Sequence, residues 1–184
     1  MHDASVKIQK LGLSGVCLVS PERFEDQRGY FVEVYNAQIF ERIGISPTFV
    51  QDAVSHSRKG VLRGLHYQKS PHGQAKLVRC TYGEVFDVAA DIDPASPTYG
   101  QYISTRLSGD TQAMLYLPAG YAHGFCVLSD MAVVEYKLEA VHAESAEGVR
   151  YDDPLFNIAW PISDPVLSAN DMHWPLLPQV PNTP

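Results

Sequence analysis

The feature that most constrains this chain is a close succession of short apolar runs, rich in valine, isoleucine and aromatics, each closed by turn residues. The runs span 49–51, 61–68, 76–81, 84–91, 102–107, 113–117, 124–128 and 131–138. Between them lie glycine, proline, serine and aspartate clusters at 58–60, 70–73, 83, 94–97, 108–110 and 118–120. None of the runs is long enough for an ordinary helix, and strands at this spacing predict an all-β sandwich or small barrel rather than a βαβ fold. Further strands are expected at 15–20 and 30–35, the first stopped by Pro21 and the second preceded by a turn at 26–29. One short helix is predicted after Asn36, where Ile39, Phe40 and Ile43 recur at helical spacing and Gly44 stands at its end. From about Pro154 the chain is proline-studded and carries Trp160 and Trp174, which reads as an irregular tail packed on the barrel.

At 184 residues the whole chain, 1–184, fits one domain with a full core. A net charge of -7 argues against general affinity for nucleic acid or an anionic membrane, but local cations can still hold a small anion. Cys17, Cys80 and Cys126 sit in apolar runs and form no close-spaced motif, which predicts reduced, core-filling thiols in a cytoplasmic protein. The N-terminus lacks a signal-type apolar region, and no run approaches the length of a membrane span.

The stretch Val61-Leu-Arg-Gly-Leu-His-Tyr-Gln68 puts an imidazole three residues after a guanidinium on a predicted strand. Residues three apart point to opposite faces of a regular strand, so Arg63 and His66 share a pocket only if Gly64 carries a bulge. Antiparallel pairing across a hairpin closed at 70–73 would aim Lys76 at His66; without that pairing Lys76 reads as a solvated edge residue. A glycine turn delivers His123 to the start of an apolar strand, where it either satisfies turn backbone or faces a ligand. Tyr136 shares an inward face with Val134 and Leu138, so its hydroxyl needs a partner and serves either structure or proton donation.

The segments 64–68 and 118–123 are similar to the two signature regions of the cupin barrel. Metal cupins use a His-x-His pair, a glutamate and a later histidine; here Gln68 replaces the second histidine and Lys76 brings a cation to the same place. A catalytic metal needs about three protein ligands, so the expectation is a metal-free, cofactor-free cavity with His66 as a base.

A more specific resemblance runs through nearly the whole chain. Asp26-x-Arg28-Gly29-x-Phe31-x-Glu33, the 61–68 stretch, Gln74-Ala-Lys-Leu-Val-Arg79, Val85-Phe-Asp-Val88, Ser96-Pro-Thr-Tyr-Gly100, Pro118-x-Gly-x-x-His-Gly-Phe125, Trp160-Pro161 and Leu167-Ser-x-x-Asp171 occur in order. Together they resemble dTDP-4-dehydrorhamnose 3,5-epimerase and its sugar-nucleotide relatives. The resemblance implies a cupin-type jelly roll acting on a 4-keto sugar nucleotide, with His66 as base and Asp171 as its supporting carboxylate. It implies Tyr136 as acid on the opposite face of the sugar and Lys76 as stabiliser of the enolate. It also makes Arg63, His123 and Glu147 substrate contacts, and places Gln51 and Asp52 in the nucleotide-contacting segment. Arg28 and Glu33 are implied to reach the site from the partner in a homodimer that exchanges N-terminal strands.

Two positions depart from the family pattern. Ala53 stands where Gln-x-Asn is usual, and Asn170 replaces the lysine of Leu-Ser-x-Lys-Asp. The leading expectation is inversion at carbons 3 and 5 of dTDP-4-dehydro-6-deoxy-D-glucose. The alternatives are inversion at one carbon of a related sugar nucleotide, a non-catalytic sugar-nucleotide-binding cupin, and a metal-dependent cupin oxygenase, the last opposed by Gln68.

Overall fold

The computed structural model describes residues 5–45 and 48–178. In chain order the strands are β1 (Val6–Lys10), β2 (Cys17–Pro21), β3 (Arg23–Asp26) and β4 (Gly29–Val32), then helix α1 (Ala37–Arg42). There follow β5 (Gln51–Arg58), β6 (Leu62–Gln68), β7 (Lys76–Tyr82), β8 (Glu84–Asp91), β9 (Tyr102–Ser108), β10 (Met114–Leu117), β11 (Tyr121–Val127) and β12 (Met131–Leu138). The short β13 (Ala146–Gly148) and helix α2 (Ala169–His173) complete the described elements, with a single 3-10 turn at Ala143–Ser145.

The strands form a six-stranded sheet in the order β1-β2-β10-β7-β12-β5 and a five-stranded sheet in the order β13-β6-β11-β8-β9, with β3 and β4 paired apart from both. Every pairing within these sheets is antiparallel. Period-two alternation drives the two sheets together. Val78, Cys80, Leu115, Leu117 and Val134 from one meet Val85, Ala89, Leu107, Phe125 and Val127 from the other in a single buried cluster. This is the all-β sandwich expected from the spacing of the runs, and its cupin type is the one the resemblance implies.

The helix predicted after Asn36 forms, and the Asn36 side chain accepts from the backbone N–H of Gln38 and Ile39. Gly44 follows it with φ +82°. The helix buries Phe40 against Cys17, Val19, Leu77 and Met114 on the outer face of the six-stranded sheet. The C-terminal segment covers the outer face of the other sheet, where Phe156, Ile158, Trp160 and Leu177 pack with Leu65, Val88, Ala90 and Ala122. Cys17, Cys80 and Cys126 are buried free thiols. Among the described residues no helix is long and apolar enough to cross a membrane.

One expectation is corrected. Strands β6 and β7 do not form a hairpin; they lie in different sheets, and the loop between them crosses from one layer of the sandwich to the other. Strands β1, β3 and β13 were not anticipated, and β5 runs on to Arg58, well past the short strand expected at 49–51. Each is polar or mixed in sequence and owes its conformation to the neighbour it pairs with, which outweighs local propensity.

The tightest point of the five-stranded sheet is the crossing of β6 over β11. A Cβ on Gly64 would lie 2.5 Å from Gly124 Cα and 2.9 Å from the His123 carbonyl oxygen, and Gly64 has φ +134°. Both obstacles are backbone, so neither can swing aside. Gly64→Ala is therefore expected to cost at least about 2 kcal/mol of stability from strain and overpacking. An unchanged urea midpoint in the variant would refute this close approach.

Candidate active site

The register between β6 and β11 shows how this glycine shapes the site. His123 pairs with His66 and Phe125 pairs with Arg63, so three steps on β6 oppose two on β11. The extra residue lies beside Gly64, whose peptide bond to Leu65 is cis. Consequently Arg63 and His66 both face the inside of the sandwich, while Leu65 joins the outer cluster. The bulge required by the sequence argument is present.

His66 is held from behind by the C-terminal segment. Its Nε2 lies 2.6 Å from Asp171 Oδ1, and the Asp171 side chain is almost fully buried while the imidazole remains half exposed. Asp171 sits in α2, whose N-terminus is capped by Ser168 accepting from the Asp171 N–H. The Trp174 indole N–H also donates to Asp171 Oδ1, at 3.2 Å. Burial pushes the Asp171 carboxyl upward, but hydrogen bonding and charge from His66, with bonds from Ser168 and Trp174, hold it below the ordinary carboxylate range. An ionised carboxylate at Nε2 makes that nitrogen the protonated one and leaves Nδ1 as the basic nitrogen.

From the facing sheet comes Lys76, which is buried and donates from Nζ to the His66 carbonyl oxygen at 3.0 Å. Burial drives this ammonium down to about 8, and the charge of Asp87 opposes the fall. Asp87 is completely buried. One of its oxygens is 2.9 Å from His123 Nε2, and the other has no protein hydrogen-bond partner among the described residues. Tyr136 completes the chamber, its hydroxyl 3.0 Å from Ser55 Oγ and its ring 6.1 Å from that of His123, edge on. Burial pushes the phenol far above its usual range, with Asp87 adding to the rise and Ser55 and Arg63 opposing it. It therefore carries its proton throughout the neutral range. Arg63 reaches across to donate to Ser57 Oγ at 3.0 Å.

His66, Asp171, Lys76, His123, Tyr136 and Arg63 thus converge. Other expected contacts do not join them within one chain. Asp52 pairs with Lys137 at 2.9 Å and lines a groove on the outer face with Val34, Tyr35 and Val54, while Gln51 lies exposed at the start of the edge strand. Ala53, not Asp52, is the residue opposite Tyr136. Glu147 pairs in register with Tyr67 on the face opposite His66, and its carboxylate accepts from Tyr67 and Lys69, both at 2.9 Å. Arg28 is an exposed turn residue paired with Asp26 at 2.6 Å, and Glu33 accepts from Asn36 Nδ2 at 3.1 Å; both belong to the β3–β4 hairpin region. Gln68 turns its amide to the loops, donating to the His72 carbonyl at 3.2 Å and accepting from Gln74 Nε2 at 3.1 Å. Among the described residues no group of three or more histidine, cysteine or acidic side chains is arranged to hold a metal.

Asp87, Ser55 and Trp174 belong to this constellation and were not singled out as site residues. The signal for Asp87 lay in the alternation, since it shares a face with Val85 and Ala89 and interrupts that face in mid-strand, whereas Asp91 stands at the strand's end. The reach of Trp174 back to Asp171 had no counterpart in the sequence.

The chain has extensive matches among known proteins. The profile of the family described as dTDP-4-dehydrorhamnose 3,5-epimerase matches residues 10–179. A dTDP-4-dehydrorhamnose 3,5-epimerase of Salmonella typhimurium is 47% identical over 173 residues, covering 92% of this chain and 94% of the relative. A dTDP-4-dehydrorhamnose 3-epimerase of Streptomyces niveus is 40% identical, covering 90% of this chain and 81% of the relative. The crystal structure of a dTDP-6-deoxy-D-glucose-3,5-epimerase from Legionella pneumophila, in complex with dTDP-4-keto-L-rhamnose, superposes with a TM-score of 0.89 at 43% identity, covering 94% of this chain and 93% of that one. On a match of this extent the chain belongs to the dTDP-4-dehydrorhamnose 3,5-epimerase family of isomerases.

Proposed function

We propose that the protein epimerises an NDP-4-keto-6-deoxyhexose, dTDP-4-dehydro-6-deoxy-D-glucose being the substrate, at carbons 3 and 5 to give dTDP-4-dehydro-L-rhamnose. The observation that carries this reading is that two groups able to transfer protons stand on facing sheets, each beside His123. His66 comes from the five-stranded sheet and Tyr136 from the six-stranded one, with the Lys76 ammonium bonded to the backbone of the base.

A hydrogen on a carbon next to the ketone is acidic because the electron pair left behind delocalises onto the ketone oxygen. His66 Nδ1 takes that proton, the C–H electron pair becomes the enolate, and the charge develops on oxygen 4. Lys76 supplies a buried positive charge there, where low dielectric strengthens it. Tyr136 returns a proton to the same carbon from the opposite face, so the configuration inverts. The imidazolium then gives its proton to solvent and the phenolate recovers one, and the cycle repeats at the second carbon. The half exposure of His66 suits it to exchange with solvent. The substrate's own ketone is the electron sink, so no redox partner enters the balance. Arg63, at the mouth, suits a diphosphate oxygen because its planar fork binds oxyanions bidentately.

The protein is further read as a cytoplasmic homodimer whose partner copy supplies Arg28 and Glu33. The β3–β4 hairpin supports this. A two-stranded hairpin is marginal by itself, yet this one presents Phe31 at 67% exposure and Tyr30 at 48%. A second copy seated on it would bury that apolar surface and bring two polar residues toward a site that the single chain leaves without them.

Incubation with dTDP-4-keto-6-deoxyglucose in heavy water, followed by NMR, tests the reaction. Deuterium should enter at carbons 3 and 5; label at carbon 3 alone would replace the proposal by a 3-epimerase, and no label by a binding role. His66→Ala should slow uptake at both carbons by at least about a hundredfold, whereas Tyr136→Phe should spare exchange and impair inversion. The Lys76 ammonium is present below about pH 8 and lost above it, so kcat/KM should fall on the alkaline side with that midpoint. Asp87→Asn removes the charge that sustains the ammonium and should move this limb to lower pH by on the order of one unit; a limb that stays put would disconnect Lys76 from the rate. Mixing inactive His66→Ala with an inactive Arg28→Ala, Glu33→Ala double variant should recover about a quarter of wild-type activity, since half the dimers are mixed and each holds one intact site. No recovery on subunit exchange would remove the shared site.

A further inference from the structure

We propose that Trp174 is a positioning residue for the His66–Asp171 pair, its indole N–H sharing the carboxylate oxygen that His66 bonds and so fixing the carboxylate in the orientation the base requires. The inference deepens the epimerase reading and rests on it for its catalytic consequence. The indole Nε1 is 3.2 Å from Asp171 Oδ1, while His66 Nε2 is 2.6 Å from the same atom. The indole and imidazole rings stand edge to face, with centroids 6.4 Å apart at 73°.

The indole has a prepared seat. Gly148 pairs with His66 in register and so shares its face. A Cβ on Gly148 would fall 2.5 Å from both Cε2 and Nε1 of the indole, so only glycine lets the ring lie flat against β13 at this point. The chain that carries Trp174 is pinned on its far side, where Arg150 N–H donates to the Pro175 carbonyl at 3.1 Å and Leu177 N–H donates to the buried Asp153 at 2.7 Å. Pro175 follows directly and fixes the exit of the chain from α2.

These contacts give Trp174 a defined effect. A carboxylate rotates about its Cβ–Cγ bond unless both its position and its plane are held, and a single bond to a half-exposed imidazole does not hold the plane. A second donor at the shared oxygen does. It also draws charge from that oxygen, which weakens the grip of Asp171 on the protonated imidazole. The charged and titratable groups sharing the chamber with His66 are Asp171 from α2, Lys76 from β7, Asp87 from β8, His123 from β11, Tyr136 from β12 and Arg63 from the same strand. Of these, Asp171 is the one that accepts from the Trp174 indole, so a change at Trp174 acts on the His66–Asp171 pair through that carboxylate.

The test is Trp174→Phe, which keeps an aromatic ring on Gly148 and removes the N–H. The carboxylate then holds imidazolium more strongly, so the midpoint of His66 protonation rises. The acid limb of kcat/KM should move up by about half a unit to one unit, and kcat should fall on the order of tenfold with KM unchanged, as when an outer partner of a functional histidine is lost. Nitrogen-15 NMR titration of the His66 ring in the substrate-free protein should show the same upward shift, and this readout stands even if the wild-type protein proves inactive on 4-keto sugars. Should the phenylalanine variant fold poorly, 3-benzothienylalanine at position 174 retains the bicyclic shape and deletes only the donor; it should give the same shifts. An unmoved His66 titration in a folded variant, or a rise in KM with kcat and both limbs intact, overturns the proposal.

Discussion

The costliest group in this fold is the Lys76 ammonium. A charge removed from water is tolerated only when partners and bonds replace the lost hydration. Lys76 lies fully inside the sandwich, yet among the described residues its direct bond is to a neutral carbonyl, that of His66. The opposing charge comes from Asp87 on the other sheet, which is too far for a contact pair but close enough to hold up its protonation. Most of the chamber can be derived from that requirement. β6 must present a carbonyl at the right depth, β8 must interrupt an apolar face with an acid, and β11 must supply His123 to engage that acid. Incomplete neutralisation leaves Lys76 able to gain or lose its proton near neutral pH and leaves an oxygen of Asp87 unmatched. An enolate oxygen arriving beside the ammonium would find positive charge that the protein has not cancelled.

Two imidazoles occupy neighbouring positions on β6 and β11, each bonded through Nε2 to a carboxylate, yet they are suited to different work. His123 and Asp87 are both deep in the sandwich, so any proton that leaves one stays with the pair. His66 and Asp171 are unequally exposed: the acid is shielded beneath α2 and the ring faces open space. The proposed base must return its proton to solvent after every turnover, and this asymmetry suits that task. The buried pair instead fixes the orientation of a polar wall against which Tyr136 packs edge on. Burial, not residue type, separates the roles.

How much of this was legible in the sequence depends on the range of the interaction concerned. Most strands of the two sheets were readable because each is a short apolar or alternating run closed by its own turn, and α1 because Asn36 and Gly44 bracket it. The bulge at Gly64 followed from asking how Arg63 and His66 could share a face. Strand partners were not readable: nothing local distinguishes a β6–β7 hairpin from a crossing between layers, and Lys76 reaches His66 by the second route. The same limit hid β1, β3 and β13, whose sequences do not alternate cleanly. Asp52 and Glu147 show the converse, since motif position brought them forward while alternation turns them away from the inner face.

The C-terminal segment shows why an irregular tail can be as well determined as a strand. It forms few ladder bonds, apart from the parallel bridge of Val166 to Val61. Instead it is fixed by point contacts that differ in kind: Trp160 donates to the Tyr151 carbonyl, Asp153 accepts from Leu177, and Trp174 lies on Gly148. Apolar burial of Phe156 and Trp160 on the outer face sets where the segment runs. The polar contacts then set the rotation of α2, and through it the direction of Asp171. A helix of five residues has little intrinsic stability, so α2 takes its orientation wholly from those contacts. The geometry of the His66–Asp171 pair is therefore set by residues remote from His66 in sequence, and a change along the tail reaches His66 without touching the barrel that carries it.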